Sequence, residues 1–247
     1  MAFTGKTTAP APKLDAVLDS LGADIISGAI ATGEKFTLQN LSEQFNISRT
    51  VAREAMRALE QLHLVKSSRR VGITVLDPAH WAVFDEAIIR WRLADKNSRA
   101  KQMLSLTQLR IAVEPIAARA MARHGSAESK KRLKRLADTI NDLGNQKRGD
   151  SPEYLDAVIA FHTLLLTAST NEMFATLVPT IAATYTGEAT YLESPPQPNP
   201  KVLTAHTELA DAIAGGDYNA AEAAATAILN EARDNILIAE GLKKSGQ

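Results

Sequence analysis

The sequence predicts a mainly α-helical protein with a small β-containing segment in its N-terminal third. Apolar residues recur at helical spacing through most of the 247 residues, and the β-rich segments are confined to residues 64–75. Capping residues precede several of the helical patterns. At this length, one large domain or two domains of ordinary size are expected.

The composition excludes several kinds of site. The chain has no cysteine, which excludes disulfide frameworks, thiolate nucleophiles, iron–sulfur clusters and cysteine-bound zinc. Lys and Arg number 28, as do Asp and Glu, so a uniformly basic surface is not expected. Apolar runs are far shorter than the ~20 residues of a membrane span, and no apolar signal core is present, so we expect a cytoplasmic protein with no membrane partner.

The N-terminal part predicts three helices in sequence. Residues 1–12 are small, polar and proline-bearing, and we expect them to be flexible. Apolar residues at helical spacing begin at Leu14 and predict the first helix. Thr37 can cap a short second helix, and Ser48 can cap a third helix that runs to about Leu62.

Two β-strands are expected after these helices. Residues 64–66 and 71–75 are β-rich and are joined by a basic turn. Three short helices followed by a two-stranded basic wing form a winged helix-turn-helix, which we assign to residues 13–77. In this fold the third helix enters the major groove of DNA.

Arginines of the third helix are the first candidate DNA contacts. Arg49, Arg53 and Arg57 recur every four residues along one face of that helix. Guanidinium groups can bind guanine edges or phosphates, and a helix N-terminus also attracts phosphate. We expect base reading by Ser48, Arg49 and Thr50, backbone contacts by Arg53 and Arg57, and wing contacts by Arg69 and Arg70. In the alternative, the helix arginines are only solvated and pair with Glu54 and Glu60.

Beyond the wing, the sequence predicts helices alone. A helix from about Arg99 ends at His124, where Gly125 can take the left-handed conformation of a C-terminal cap. Ser151, followed by proline, can cap a helix that is apolar on nearly every side. We therefore assign residues 78–247 to an all-α antiparallel helix bundle that binds an effector and dimerises.

The third helix and the segment before it carry a distinctive motif. It reads Leu41-Ser42-Glu43-Gln44-Phe45-Asn46-Ile47-Ser48-Arg49-Thr50-Val51-Ala52-Arg53-Glu54-Ala55-Met56-Arg57-Ala58-Leu59-Glu60, followed by Arg70-Val71-Gly72. This motif resembles the N-terminal domain of GntR-type transcription factors, over about residues 15–75. The resemblance implies further DNA contacts at Gln39, where the family often has arginine, and at Gly72. Val51 departs from the family pattern, which has proline there.

The rest of the chain resembles the all-helical FCD effector domain of the FadR-like branch of this family. The landmarks are Leu109-Arg110-Ile111-Ala112-Val113-Glu114-Pro115, Ala160-Phe161-His162, Ala168-Ser169-Thr170-Asn171, Ala205-His206 and Ala212-Ile213-Ala214-Gly215-Gly216-Asp217. The resemblance implies a metal held by one Asp and three His. Only His162 and His206 match, because Val158 and Ile228 occupy the other two positions. Asp156 is no substitute, since it lies about 120° from the first histidine around the helix.

Four polar residues of this second part are candidate effector contacts. Arg110 and Glu114 are four residues apart, as in an intrahelical ion pair, or as in a site where Arg110 binds a ligand carboxylate and Glu114 orients it or binds hydroxyls. We expect His162 and His206 to be pocket donors or acceptors; hydrogen-bonded core histidines are the alternative. The two histidines could hold a Zn-type ion if the ligand or another residue completed the shell.

These features together predict a ligand-responsive transcription regulator rather than an enzyme. The resemblance implies a homodimeric repressor on a pseudo-palindromic double-stranded operator, and residues 81–93 resemble members that sense sugar acids such as gluconate or galactonate. A metal-coordinated hydroxy- or dicarboxylic acid is an alternative effector. A small-molecule enzyme and an architectural DNA binder are further alternatives. No nucleophile elbow, dinucleotide-binding loop or Walker sequence supports the enzyme, and the zero net charge argues against the architectural protein.

Overall fold

A computed structural model describes residues 14–69, 71–191 and 197–239. The chain forms two compact units, Met1–Asn97 and Ser98–Gln247. The N-terminal segment that we expect to be flexible, residues 1–12, and the wing residue Arg70 lie outside the described residues.

The first unit has the winged helix-turn-helix predicted from sequence. Its elements are α1 (Leu14–Ser27), β1 (Lys35–Phe36), α2 (Leu38–Phe45), α3 (Arg49–Gln61), β2 (Val65–Ser68), β3 (Gly72–Val75) and, after a 3-10 turn at Pro78–His80, α4 (Glu86–Ala94). Thr37 and Asn40 cap the start of α2 reciprocally, each side chain accepting from the other's backbone N–H. Asn46 ends α2 in the left-handed conformation, with φ 50°, and so allows the tight turn into α3.

The wing contains one strand more than the sequence predicts. The three strands are antiparallel in the order β1-β3-β2, with Phe36 opposite Ile73 and Lys66 opposite Thr74. Strand β1 has two residues, which is too short to show the alternation of apolar and polar residues by which a strand is recognised.

Helix α4 lies in the first compact unit, so the two units divide twenty residues after the domain boundary that the sequence predicts between residues 77 and 78. The indole of Trp91 packs directly on Gly22 of α1, and its Nε1 donates a hydrogen bond to Asp19 Oδ1 at 2.9 Å. Trp81 is also buried in the core of this unit. The boundary between the units therefore lies between Asn97 and Ser98.

The second unit is an all-α bundle, as expected. Its helices are α5 (Arg99–His124), α6 (Ala127–Asn145), α7 (Pro152–Thr167), α8 (Glu172–Ala175), α9 (Val178–Tyr191), α10 (Pro200–Gly215) and α11 (Tyr218–Ala239). Helix α5 packs against α7 and α11, and α10 packs against α6 and α11. Phe161 and Leu165 of the apolar helix α7 are fully buried in the core. Within the ranges that the structure describes, none of the helices is long and apolar enough to cross a lipid bilayer.

The glycine after α5 differs from expectation. Gly125 has φ −61° and ψ 141°, an extended conformation rather than the left-handed one. A Cβ atom there would lie 2.5 Å from the carbonyl oxygen of Met121, so close packing rather than backbone conformation explains the glycine. Gly216 after α10 is the cap that is left-handed, with φ 75°.

Replacing Gly22 by alanine should destabilise the first unit. The added Cβ would lie 2.4 Å from a ring carbon of Trp91, so α1 and α4 would have to separate. We expect Gly22→Ala to lower the free energy of unfolding by about 1–3 kcal/mol, measured by urea denaturation. Gly215→Ala in α10 is the matched control, because no atom lies within 4 Å of the added Cβ. Equal effects of the two substitutions would contradict the packing of α4 on α1.

Candidate functional site

The exposed face of α3 carries the arginines predicted to contact DNA. Arg49, Arg53 and Arg57 are all exposed, and no ion pair between them and another residue occurs in the described part of the chain. Glu60 of the same helix instead accepts a hydrogen bond from the Ser67 backbone N–H at 2.7 Å, which ties α3 to β2. The alternative in which these arginines pair with glutamates of their own helix is thus not observed. Their guanidinium groups are open to an anionic partner.

The N-terminal end of α3 combines a helix cap with exposed polar side chains. The Ser48 side-chain oxygen accepts from the backbone N–H of Val51 at 3.3 Å, and Thr50 is exposed beside it. A proline in place of Val51, as in the family pattern, would lack that N–H. The hydroxyl oxygen of Ser48 is therefore engaged in the cap, and its hydrogen can still be donated to DNA.

The remaining predicted DNA contacts lie on α2 and on the wing. Gln39 is exposed on α2 and donates to Glu43 Oε1 at 2.8 Å. Arg69 is exposed directly after β2. Gly72 has φ 87°, and a Cβ there would lie 2.8 Å from the carbonyl oxygen of Phe36. Gly72 therefore permits the close approach of β1 and β3.

A second cluster of polar side chains is buried inside the helical bundle. Arg110 and Glu114 of α5, His162 of α7 and His206 of α10 are each at most 2% exposed. Arg110 Nε donates to Glu114 Oε1 at 2.6 Å, and Glu114 Oε2 lies 2.5 Å from His162 Nδ1. The ring centres of the two histidines are 5.6 Å apart. The structure thus brings together all four residues predicted to contact an effector.

One residue of α9 that sequence analysis missed completes this polar cluster, and a second, Thr184, lies next to it in the chain. The Tyr185 hydroxyl accepts a hydrogen bond from Arg110. The guanidinium carbon of Arg110 also lies 4.2 Å from the centre of the tyrosine ring. The same ring is 5.2 Å from that of His162. Thr184 is fully buried beside Tyr185 in the chain. Helix α9 contains several other threonines, so its sequence gives no signal that separates Thr184 from them.

The charges of the cluster cancel. Burial alone raises the pKa of Glu114, but Arg110 and His162 outweigh it and lower that pKa to about 2. Burial lowers the pKa of His162, although Glu114 opposes the shift. Burial and the neighbouring His162 lower the pKa of His206 to about 3. At neutral pH the cluster therefore holds one cation, one anion and two neutral imidazoles.

The tautomer of His206 follows from its hydrogen bond. Its Nδ1 lies 2.7 Å from the carbonyl oxygen of Val202, and a carbonyl oxygen can only accept, so Nδ1 carries the proton. The other ring nitrogen, Nε2, is then an acceptor. It has no hydrogen-bond partner among the residues that the structure describes.

Comparison with family models identifies both units. Residues 13–75 match the model described as bacterial regulatory proteins of the gntR family, and residues 105–231, more than half of the chain, match the FCD domain. The protein belongs to the gntR family and carries an FCD domain. It is therefore a DNA-binding transcription regulator with a winged helix-turn-helix. Regulators of this family bind operator DNA and typically act as dimers.

Curated relatives and solved structures agree with this assignment. The chain is 27% identical over 223 residues to the galactonate operon transcriptional repressor of Escherichia coli, covering 88% of this chain and 93% of that protein. It is 28% identical over 203 residues to the HTH-type transcriptional regulator YieP of the same organism, covering 82% and 84%. The structure of Lar, which controls expression of the Listeria monocytogenes agr system, matches with a TM-score of 0.58 at 14% identity over 95% of this chain and 99% of that chain, which shows the shared fold.

The donor set of this FCD domain does not fit the metal that the resemblance implies. Buried Val158 and Ile228 occupy two of the four expected ligand positions, and Asp156 is exposed. Glu114, the one buried carboxylate of the polar cluster, is already bound by its neighbours. Among the described residues, no group of three or more His, Asp or Glu side chains could hold a metal ion. Two imidazoles alone form a weak divalent site.

The free energy of unfolding should fall as the pH falls from 7 to 5. Unfolded His206 takes up a proton near its ordinary pKa of 6.5, whereas the folded residue stays neutral down to about 3, so acid favours the unfolded state. Its share of the loss is about 2 kcal/mol at pH 5. The lowered pKa of Glu114 acts only below its ordinary value of 4.5 and does not enter this range.

Urea titrations at pH 7 and pH 5 measure this effect. Glutamine has no titratable group, so His206→Gln should remove the part of the pH dependence of the free energy of unfolding that is due to His206. Exposed Asn145→Gln in the same domain introduces no titratable group and, as the control, should leave the difference between the two pH values unchanged. A wild-type pH dependence that His206→Gln leaves intact would contradict the neutral, buried state of this imidazole.

Proposed function

We propose that this chain is a homodimeric, cytoplasmic repressor, and not an enzyme, whose FCD domain binds a small carboxylate and thereby changes its affinity for a pseudo-palindromic operator. A sugar acid such as gluconate or galactonate is the proposed effector. The observation that carries this proposal is the buried polar cluster around Arg110, because its polar groups are set in an otherwise apolar helix bundle.

The chemistry of the polar cluster suits a hydroxylated acid. A guanidinium has five N–H donors, and the bonds to Glu114 and Tyr185 engage Arg110 through Nε and one terminal nitrogen. Donors therefore remain for a ligand carboxylate. The neutral imidazoles of His162 and His206 can accept hydrogen bonds from ligand hydroxyls.

Similarity to the galactonate operon repressor supports the same class of ligand. The likeness of residues 81–93 to sugar-acid sensors gives weaker support for this class of ligand. Trp81 and Trp91 of that segment are buried in the core of the first unit, where Trp91 packs on Gly22 of α1, so their role is structural. The effector contacts that we propose all lie in the FCD domain.

Control of DNA binding requires that the acid has unequal affinity for two states of the dimer. By thermodynamic linkage, an acid that weakens operator binding is itself bound more weakly by the DNA complex. The acid weakens operator binding by the same factor by which the operator weakens acid binding. This factor can therefore be measured by titrating either ligand.

Removing arginines of α3 should weaken operator binding in two different ways. Arg49→Ala should cost about 1–3 kcal/mol and reduce discrimination between operator and random DNA, since Arg49 is proposed to read a base. Arg53→Ala should weaken binding to both duplexes equally and reduce the salt dependence by about one ion, as expected for a phosphate contact. Fluorescence anisotropy over a range of KCl concentrations measures both effects. Exposed Arg135→Ala of α6 is the control, and losses no larger than those of this control would refute the proposed contacts.

The effector proposal is tested by titrating acids into the protein–operator complex. D-Gluconate or D-galactonate should lower operator affinity at least about fivefold, within the usual range of allosteric coupling. Arg110→Lys keeps the charge but loses the planar fork, so it should bind the operator normally and respond to at least about tenfold higher acid concentration. Arg119→Lys in the same helix is the matched control, since Arg119 pairs with Glu222 outside the polar cluster. The effector proposal would be refuted if none of a panel of sugar acids changed operator binding.

A further inference from the structure

Among the described residues of the FCD domain, two buried side-chain polar atoms have no hydrogen-bond partner. They are Nε2 of His206 and Oγ1 of Thr184, and each belongs to a residue at most 2% exposed. Buried polar groups are normally paired, because each unpaired group loses its hydrogen bonds to water without compensation. His206 lies against His162 in the polar cluster, and Thr184 precedes Tyr185 of that cluster on α9.

The two atoms differ in what they can bind. His206 Nε2 carries a lone pair and no proton, because Nδ1 donates to the Val202 carbonyl oxygen. It therefore needs either a hydrogen-bond donor or a metal ion. The Thr184 hydroxyl can accept as well as donate.

A metal ion is the poorer partner for His206. The part of the chain that the structure describes offers no third protein ligand there, since apolar side chains stand at positions 158 and 228 and the Glu114 carboxylate is bound by Arg110 and His162. A hydroxyl donor needs no further ligands and adds no charge. Its partner is then the neutral nitrogen of His206, while the negative charge of the acid is met by Arg110.

We propose that this FCD domain binds its acid without a metal ion, and that His206 Nε2 and Thr184 Oγ1 pair with hydroxyl groups of the ligand. This inference rests on the proposed function and narrows it to polyhydroxylated acids. Arg110 takes the carboxylate, and the two unpaired atoms distinguish a sugar acid from an acid of the same length without hydroxyls. The site then binds the deoxygenated acid more weakly than the sugar acid, because these two atoms would stay buried and unpaired in that complex.

The test is isothermal titration of the full-length protein, treated with EDTA and dialysed, with D-gluconate, D-galactonate and hexanoate. Chelation should change the affinity for the sugar acids by less than about twofold. His206→Leu should weaken their binding at least about tenfold, the effect of one lost hydrogen bond, and should leave hexanoate binding unchanged. His206→Gln should retain most of the affinity, because its amide oxygen is an acceptor in a similar place but is a poor metal ligand.

Thr184 provides an independent readout. Thr184→Val, which has nearly the same shape, should weaken sugar-acid binding about tenfold, whereas Thr184→Ser should not. The valine variant should also melt at a higher temperature than the wild type without ligand, because an unpaired buried hydroxyl is removed. A hydroxyl with a structural role would give a lower melting temperature instead.

The outcomes separate this inference from the proposed function. Sugar-acid binding that requires added zinc, or equal losses for His206→Gln and His206→Leu, overturns the metal-free site and leaves the acid-sensing regulator in place. The metal-free site is also overturned if zinc, titrated without acid, binds tightly to the wild type and this binding is lost in both His206→Gln and His206→Leu. If none of the sugar acids binds, the proposed function fails, and this inference fails with it.

Discussion

The ion pair between Arg110 and Glu114 is the constraint on which the FCD domain depends. Burying a single charge is costly, so each charged group must be met by a partner with good geometry. Glu114 binds the arginine with one oxygen and His162 with the other, and Tyr185 covers the guanidinium. Helices α7 and α9 must therefore face α5 in one arrangement, which also determines where an effector can bind.

Arginine serves opposite purposes in the two units. Arg110 is buried and its Nε is paired with Glu114, so its remaining N–H donors can serve only a ligand inside the FCD domain. The arginines of α3 are exposed and lack ion pairs within the described residues, so their charge is available to phosphate. In the polar cluster, Nε2 of His206 is a neutral acceptor that has no hydrogen-bond partner among the described residues. A neutral acceptor favours hydroxyl groups, and this selectivity is the reason to expect a sugar acid.

Sequence reasoning succeeded where the signal is local. The i, i+4 spacing of Arg110 and Glu114 and the lone histidine of an apolar helix are visible in the chain, and the structure places these residues together. Sequence analysis did not identify Thr184, because its importance depends on how α9 packs against other helices. The spacing of Trp91 showed that it is buried but not against which element; its counterpart is Gly22, some seventy residues earlier, where the missing side chain gives no signal by itself.

The most direct test of the account is nitrogen NMR of the protein labelled with 15N-histidine, with His206 assigned by comparison with His206→Gln. We expect Nε2 of His206 to be unprotonated at pH 7 in the free protein. Its resonance should move toward that of a hydrogen-bonded nitrogen as D-gluconate or D-galactonate is added. A protonated imidazolium in the free protein, or a resonance unchanged at saturating acid, would contradict the claim that a neutral, buried acceptor recognises the effector.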